Sequence, residues 1–355
     1  MTAGAPVPWL QPDSEDLLSA TSGLGDQIMA ALAAGVALPA SVTGAGLNSV
    51  VVAGMGGSAV AGEVLQAYAA PRSSLPVVLV NSASPPRFLG PGSLVFAVSF
   101  SGETEETLAV ASAAVGAGAP VVAVTCGGSL GRLVAGSGGT VVDLAGRRPP
   151  VTQPRSAIGA TVAPLLIACE GLGLLTGASS ELRRAGEQLE VRRTSLSSGE
   201  GLAREIARQI GRTIPLFHGA SGLGAVAARR WKTQVNENSK SPAAFGVQPE
   251  VCHNEVCGFG QQGDVTRQVL TLVSLRTGLE DAVMSRRFEL FAELTAEALA
   301  RVVDVEASGE GELARFFDLV MIGDFVSLHL AAREGIDPGP VPTLSELKLR
   351  LASGA

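Results

Sequence analysis

Ser49-Val50-Val51-Val52-Ala53-Gly54-Met55-Gly56-Gly57-Ser58 is an aliphatic run broken by three glycines and closed by a hydroxyl. A short apolar run without polar alternation predicts a strand buried on both faces, as in a parallel sheet covered by helices. The glycines let the backbone turn sharply at the strand end, and the pattern over 58–69 predicts a helix. Outward from this stretch the unit recurs. Strands are expected at 75–80, 94–98, 120–125 and 139–144, with a helix at 103–115 and a long apolar helix at 157–175. A polar, Arg- and Glu-rich stretch at 179–198 has helical spacing, suits a solvated helix face and makes a natural bridge. The alternation then restarts, with strands at 213–218, 267–275 and 301–305 and helices at 222–239, 280–294 and 312–334. Strands alternating with helices predict the α/β class, with two doubly wound parallel-sheet domains in tandem. Their expected bounds are 47–178 and 179–355, the second closing on a C-terminal helical segment. A helical lead-in occupies 1–46, with Ser14 as the expected N-cap of a helix starting at Glu15.

Composition narrows the function. Of 355 residues, 46% are hydrophobic but only 4% aromatic and 17% charged, with 44 glycines, which excludes disorder, collagen and a disulfide scaffold. A net charge of −7 argues against a nucleic-acid partner, because phosphate backbones require a basic face. Four cysteines (Cys126, Cys169, Cys252, Cys257) make no disulfide framework in a chain of this length. Cys252 and Cys257 flank His253, yet no second Cys/His pair stands nearby, so no metal is expected. The N-terminus has no basic region before its acids, so no signal peptide is expected. The uncharged stretch 107–131 contains Gly116-Ala117-Gly118-Ala119-Pro120. That is turn punctuation, so the stretch reads as buried helix, turn and strand rather than a membrane span. A cytoplasmic protein is expected.

Open parallel sheets bind ligands beyond the carboxyl ends of their strands, and two loops occupy that place. In Gly54-Met55-Gly56-Gly57-Ser58, glycines and a helix N-terminus favour an anion. A dinucleotide fingerprint would place glycine at Ala59, where alanine is tolerated, but 70–86 lacks the acid that such a site needs, so no NAD is expected. In Ser99-Phe100-Ser101-Gly102-Glu103-Thr104, three hydroxyls surround a glycine where a helix opens, suited to a single phosphate monoester. The competing reading is an N-cap at Ser101, with Glu103, Glu105 and Glu106 complementing the helix dipole. Three hydroxyls together with the Gly-Gly-Ser loop favour phosphate.

The S-x-S-G-x-T loop behind a Gly-Gly-Ser loop resembles a sugar isomerase (SIS) domain. Asn236-Glu237-Asn238-Ser239-Lys240 and His253-Asn254-Glu255 resemble segments of the bifunctional phosphoglucose/phosphomannose isomerase family. So do Pro154-Arg155-Ser156-Ala157, Asp337-Pro338-Gly339-Pro340-Val341 and Leu347-Lys348. In order and spacing these cover about 47–352. Phe100 and Glu103 depart from the Tyr and Asn expected there.

The resemblance implies roles. Gly57, Ser58, Ser99, Ser101 and Thr104 match the positions that hold the sugar phosphate. Glu237 matches the general base, Arg155 the charge-stabilising residue, and His253 and Lys348 the groups that help to open the sugar ring. His218 and His329, in a strand end and an apolar helix, read as structural. The implied reaction interconverts glucose 6-phosphate, and mannose 6-phosphate, with fructose 6-phosphate through an enediol, with neither metal nor cofactor. The alternative is a sugar-phosphate sensor that binds without turnover. The segment 245–258 has few apolar residues to anchor it as an independent element. The resemblance also implies a homodimer with shared active sites, His253 reaching into the neighbouring subunit's site.

Overall fold

The computed structural model describes residues 9–146 and 151–353. The first eight residues of the expected lead-in and the last two of the chain lie outside that range. The chain forms two compact units: Gly23–Glu190 with Ser308–Phe317, and the remainder.

The first unit is built on five parallel strands: β1 (Ser49–Gly54), β2 (Val77–Val80), β3 (Ser93–Val98), β4 (Val121–Thr125) and β5 (Thr140–Asp143). Their order is β2-β1-β3-β4-β5. β1 and β3 run in register from Ser49 opposite Ser93 to Gly54 opposite Val98, and every residue of both is buried. The aliphatic run at 49–53 therefore belongs to a central strand, covered on both faces. Val51, Val95 and Ala123 pack with Val110, Ala114 and Leu130 of the helices Glu105–Gly116 and Gly128–Gly136. The uncharged stretch at 107–131 is buried helix, turn and strand, as expected, and among the described residues no helix is long and apolar enough to cross a membrane.

The second unit carries β6 (Ile214–Ala220), β7 (Ala244–Gln248), β8 (Leu270–Arg276) and β9 (Arg301–Glu306), all parallel, in the order β7-β6-β8-β9. Period-2 alternation gives each strand two faces. On β6, Phe217 meets Trp231 of the helix Leu223–Asn238, their ring centroids 5.4 Å apart. His218 points the other way, onto Phe291 of the helix Ala282–Thr295 at 4.7 Å.

Two parallel-sheet α/β domains are thus present as the sequence predicts, with local differences. β7 is absent from the sequence reading: it is a five-residue edge strand bounded by Pro242 and Pro249, its first two residues exposed. The strand expected from 267 begins at Leu270, because Gly263–Val269 is helical. The helix Leu202–Ile210 likewise has no counterpart in the sequence reading. The first helix starts at Leu17 rather than Glu15, and the side chain that serves its first N–H groups is Asp13, not Ser14. The Asp13 carboxylate accepts the Leu17 and Leu18 N–H groups at 2.8 and 3.0 Å, serving two orphan donors where a hydroxyl reaches one. The charged stretch is the helix Ala178–Leu196, which buries Leu182, Ala185 and Leu189 along one side.

Candidate functional site

In the first sheet the chain passes from β1 to β2 on one side and returns across β1 to β3 on the other. The strand order reverses between β1 and β3, which opens a crevice at their carboxyl ends. Both glycine–hydroxyl loops leave from there, one from Gly54 and one from Val98. After β1, Gly56–Ser58 forms a single 3-10 turn that runs into the helix Ala59–Ala69, with Ser58 buried. After β3, the buried Ser99 hydroxyl bonds the Thr104 hydroxyl at 2.8 Å and accepts the Gly102 N–H at 3.1 Å. Ser101 Oγ is exposed and accepts the Glu103 N–H. The N-cap of the following helix is Thr104, not Ser101, and its side chain makes no capping bond. The cap reading of Ser101 therefore fails.

The β3 loop is braced by its neighbour. Gly102 has φ +74°, and a Cβ there would lie 2.1 Å from the Gly127 carbonyl oxygen, so only glycine fits. Cys126 N–H donates to Phe100 O and Leu130 N–H to Gly102 O. Glu103, whose charge would oppose any anion in this loop, accepts the Ser129 N–H at 2.8 Å. That bond holds its carboxyl below the usual range. Its departure from the expected Asn thus has a local structural use.

Arg155 belongs to the same unit and is buried. It sits in the 3-10 turn Pro154–Ser156 ahead of the helix Ile158–Gly171, and its guanidinium donates to Gln153 Oε1. A Cβ on Gly57 would stand 3.3 Å from the Arg155 Cα, so glycine is what lets the two turns lie this close. The structure brings Gly57, Ser58 and Arg155 together, and places Ser99, Ser101 and Thr104 on the adjoining strand end.

Glu237 lies, half-buried, in the last turn of the helix Leu223–Asn238. On that helix Arg230, Gln234 and Asn238 repeat every four residues and so share one face. Arg230 makes a two-pronged bond to Asp324 at 3.1 and 2.6 Å. Gln234 also reaches Asp324, and Asn238 reaches the Ser327 hydroxyl at 2.8 Å. Asn236 bonds the Ser241 carbonyl. The asparagines on either side of Glu237 are thus anchors that fix the end of its helix.

Lys240 ties in a further motif, a role the sequence alone did not reveal. Its ammonium donates to the carbonyls of Glu237 (2.5 Å) and Pro338 (3.1 Å), fastening the Asp337-Pro338-Gly339 segment to the Glu237 turn. Burial pushes the Asp337 carboxyl up. Hydrogen bonds from Ser14 and Gly339 and the Lys240 charge outweigh it, so the carboxyl stays below its usual range.

His253 is exposed, between the 3-10 turns Glu250–Cys252 and Glu255–Phe259. The 245–258 segment, expected to be poorly anchored, is in fact held: Val251 is buried, and Val256 and Phe259 pack on Leu216, Leu272 and Phe291. Leu216 and His218 share one face of the sheet, while Phe217, which meets the Glu237 helix, is on the other. The second sheet therefore stands between Glu237 and the segment that carries His253, and this unit does not unite them. Lys348 is exposed on the helix Pro342–Ser353 and is not brought to either. Among the described residues, no three His, Cys, Asp or Glu side chains gather to hold a metal ion.

Comparison with known proteins gives these halves a family. The SIS domain model matches residues 46–130, and the model for the bacterial phospho-glucose isomerase C-terminal SIS domain matches 200–351. The bifunctional phosphoglucose/phosphomannose isomerase of Caldicellulosiruptor bescii is 32% identical over 337 residues, covering 93% of this chain and 97% of its own. The chain belongs to the bifunctional phosphoglucose/phosphomannose isomerase family. With that family it joins the sugar-phosphate isomerases. The Aquifex aeolicus member is 34% identical over 313 residues, 87% of this chain and 92% of its own. The C-terminal domain of glucosamine-fructose-6-phosphate aminotransferase from Francisella tularensis superposes with a TM-score of 0.67 at 14% identity, over 92% of this chain and 98% of that one. At that identity the likeness is one of fold. The family match spans both sheets, so the phosphate-type loop and the Glu237 helix belong to one family pattern.

Proposed function

We propose that the protein interconverts glucose 6-phosphate and mannose 6-phosphate with fructose 6-phosphate by proton transfer through a shared enediol, without a metal or cofactor. The phosphate is gripped by Ser58, Ser99, Ser101 and Thr104, with Gly57 giving the backbone close access. Neutral hydroxyls and helix N-terminal N–H groups bind a dianion while leaving it free to depart. His253 and Lys348 assist ring opening. Glu237 then takes the C2 proton, made acidic by the C1 carbonyl, and returns it to C1. Arg155 stabilises the enediolate charge; as a buried cation it acts in a medium where charge is poorly screened. Glucose 6-phosphate and mannose 6-phosphate differ only at C2, so loss of that proton leads both to one enediol.

The observation that carries this reading is Glu237: a half-buried carboxylate at a helix end that buried hydrogen bonds pin, in a chain whose other sheet offers a hydroxyl loop at its switch point. A base must be held still to act on carbon. We further infer a homodimer in which His253 serves the neighbouring chain's site, supported by the sheet that separates it from Glu237 in its own unit. The four free cysteines suit a reducing, cytoplasmic setting.

The test is a coupled assay of purified protein with each hexose 6-phosphate, with and without EDTA. The expected result is turnover of both aldose phosphates, unchanged by the chelator. Tight binding with no turnover would leave a sensor in place of the enzyme.

A further inference from the structure

His218 and Glu255 take no part in the chemistry described above, yet their side chains join the His253 segment to the central strand beneath it. His218 is 1% exposed, and its Nε2 lies 2.8 Å from Glu255 Oε1. Its Nδ1 is buried with no hydrogen-bond partner among the described residues, so Glu255 is the ring's polar anchor. Packing leaves the ring little freedom. Phe291 meets its edge, and on β7 the residue opposite His218 is Gly246. A Cβ on Gly246 would lie 2.8 Å from His218 Nε2 and 2.6 Å from Val251 Cγ1. Glycine there is what lets the ring and the returning segment share the face.

Above the ring, the segment is wired locally. The Asn254 side chain accepts the Glu255 N–H at 2.6 Å and donates to Glu250 Oε1 at 2.9 Å. Cys252 Sγ approaches Gln248 Oε1 at 3.0 Å. These bonds shape the turn, and the one from Cys252 ties it to Gln248, the last residue of the edge strand β7. Apolar packing of Val251, Val256 and Phe259 presses the segment on the sheet without setting its azimuth, because apolar contact is not directional. The His218–Glu255 bond is directional and comes from a residue immobilised in a central strand.

We propose that His218 is a positioning residue for His253, acting through Glu255: the buried imidazole fixes the carboxylate, and the carboxylate fixes the turn on which His253 stands two residues earlier. This rests on the reading that His253 works on the sugar, and the test separates the two claims.

The experiment places Glu255→Ala and Glu255→Gln in the wild-type and His253→Ala backgrounds, and follows kcat, KM and the histidine ring resonances by NMR. The chain has only three histidines, so single variants assign the spectrum. Glu255→Ala should lower kcat about ten- to a hundred-fold, the scale of an ångström-sized misplacement, with KM within about twofold. It should lower kcat no further once His253 is gone. The His218 and His253 resonances should move while that of His329 stays. Glu255→Gln keeps an oxygen for His218 Nε2–H and should recover most of the loss. If Glu255→Ala does not fold, Glu255→Asp, which keeps the charge but shortens the reach, should show the same pattern at smaller size. Equal losses in both backgrounds, or an unmoved His253 resonance, overturn the proposal. Full kcat in His253→Ala alone strikes the reading of His253 instead, and the resonances then still decide whether Glu255 positions it.

Discussion

The two sheets present their functional residues in opposite ways. In the first, every candidate residue belongs to a turn at the carboxyl end of adjacent strands or to the Arg155 turn packed on one of them, held largely by the backbone of its neighbours. In the second, Glu237 ends a helix on one face, His253 sits in a segment on the other, and Lys348 is exposed on a terminal helix. The difference teaches that the hydroxyl loops proposed to grip the phosphate form a local device, built where the chain reverses its strand order. Under the proposed function, Glu237, His253 and Lys348 are instead dispersed over one unit.

The sharpest way to break this division is Glu237→Gln. The amide keeps shape and hydrogen bonding but accepts no proton from carbon, so kcat should fall at least about 100-fold, the low end for a general base. KM should change little, since substrate binding is untouched. A rise in KM with kcat preserved would move Glu237 from chemistry to binding. Next in size is the double variant Ser101→Ala/Thr104→Ala, which should act in reverse. Each donor to a charged group is worth about 1.5–3 kcal/mol, roughly ten- to a hundred-fold in affinity. Binding of 6-phosphosugars, read by calorimetry, should weaken accordingly while unphosphorylated sugars change little. Equal losses for both ligand classes would make these hydroxyls structural.

The smallest effect concerns stability alone. His329 stacks on Trp9 at 4.0 Å, and burial, aided by the Arg204 charge against the opposing Glu200, pushes its pKa from 6.5 down to about 4. Between those values the unfolded chain binds a proton that the folded chain refuses, so stability should decline as pH falls from about 6.5 towards 4. His329→Phe should flatten that part of the Tm profile while leaving kcat at neutral pH alone. An unaltered slope would mean that other groups carry it.

How far these features were legible in the sequence follows the same contrast. The central strands of the first sheet, buried on both faces, announce themselves as unbroken aliphatic runs, and their loops carry glycine where only glycine fits. β7 was invisible because Ala244-Phe245-Gly246-Val247-Gln248 is short, lies at an edge between prolines and offers no clean alternation. Glu103 could be seen as a charge near a phosphate loop, but its partner, the Ser129 N–H, is 26 residues away. The asparagines beside Glu237 are anchors only because the distant Ser327 and the turn at Ser241 receive them. Sequence spacing exposes what neighbours along the chain determine, and tertiary partners supply the rest.

The central claim is that the chemistry of the second sheet is completed by a second copy of the chain. It is tested most directly by mixing Glu237→Gln protein with His253→Ala protein under conditions that exchange subunits. In a twofold dimer with shared sites, each mixed dimer has one intact site, so an equal mixture should regain roughly a quarter of wild-type activity. If native mass spectrometry shows mixed dimers and the mixture stays inactive, His253 serves its own chain and the account is contradicted.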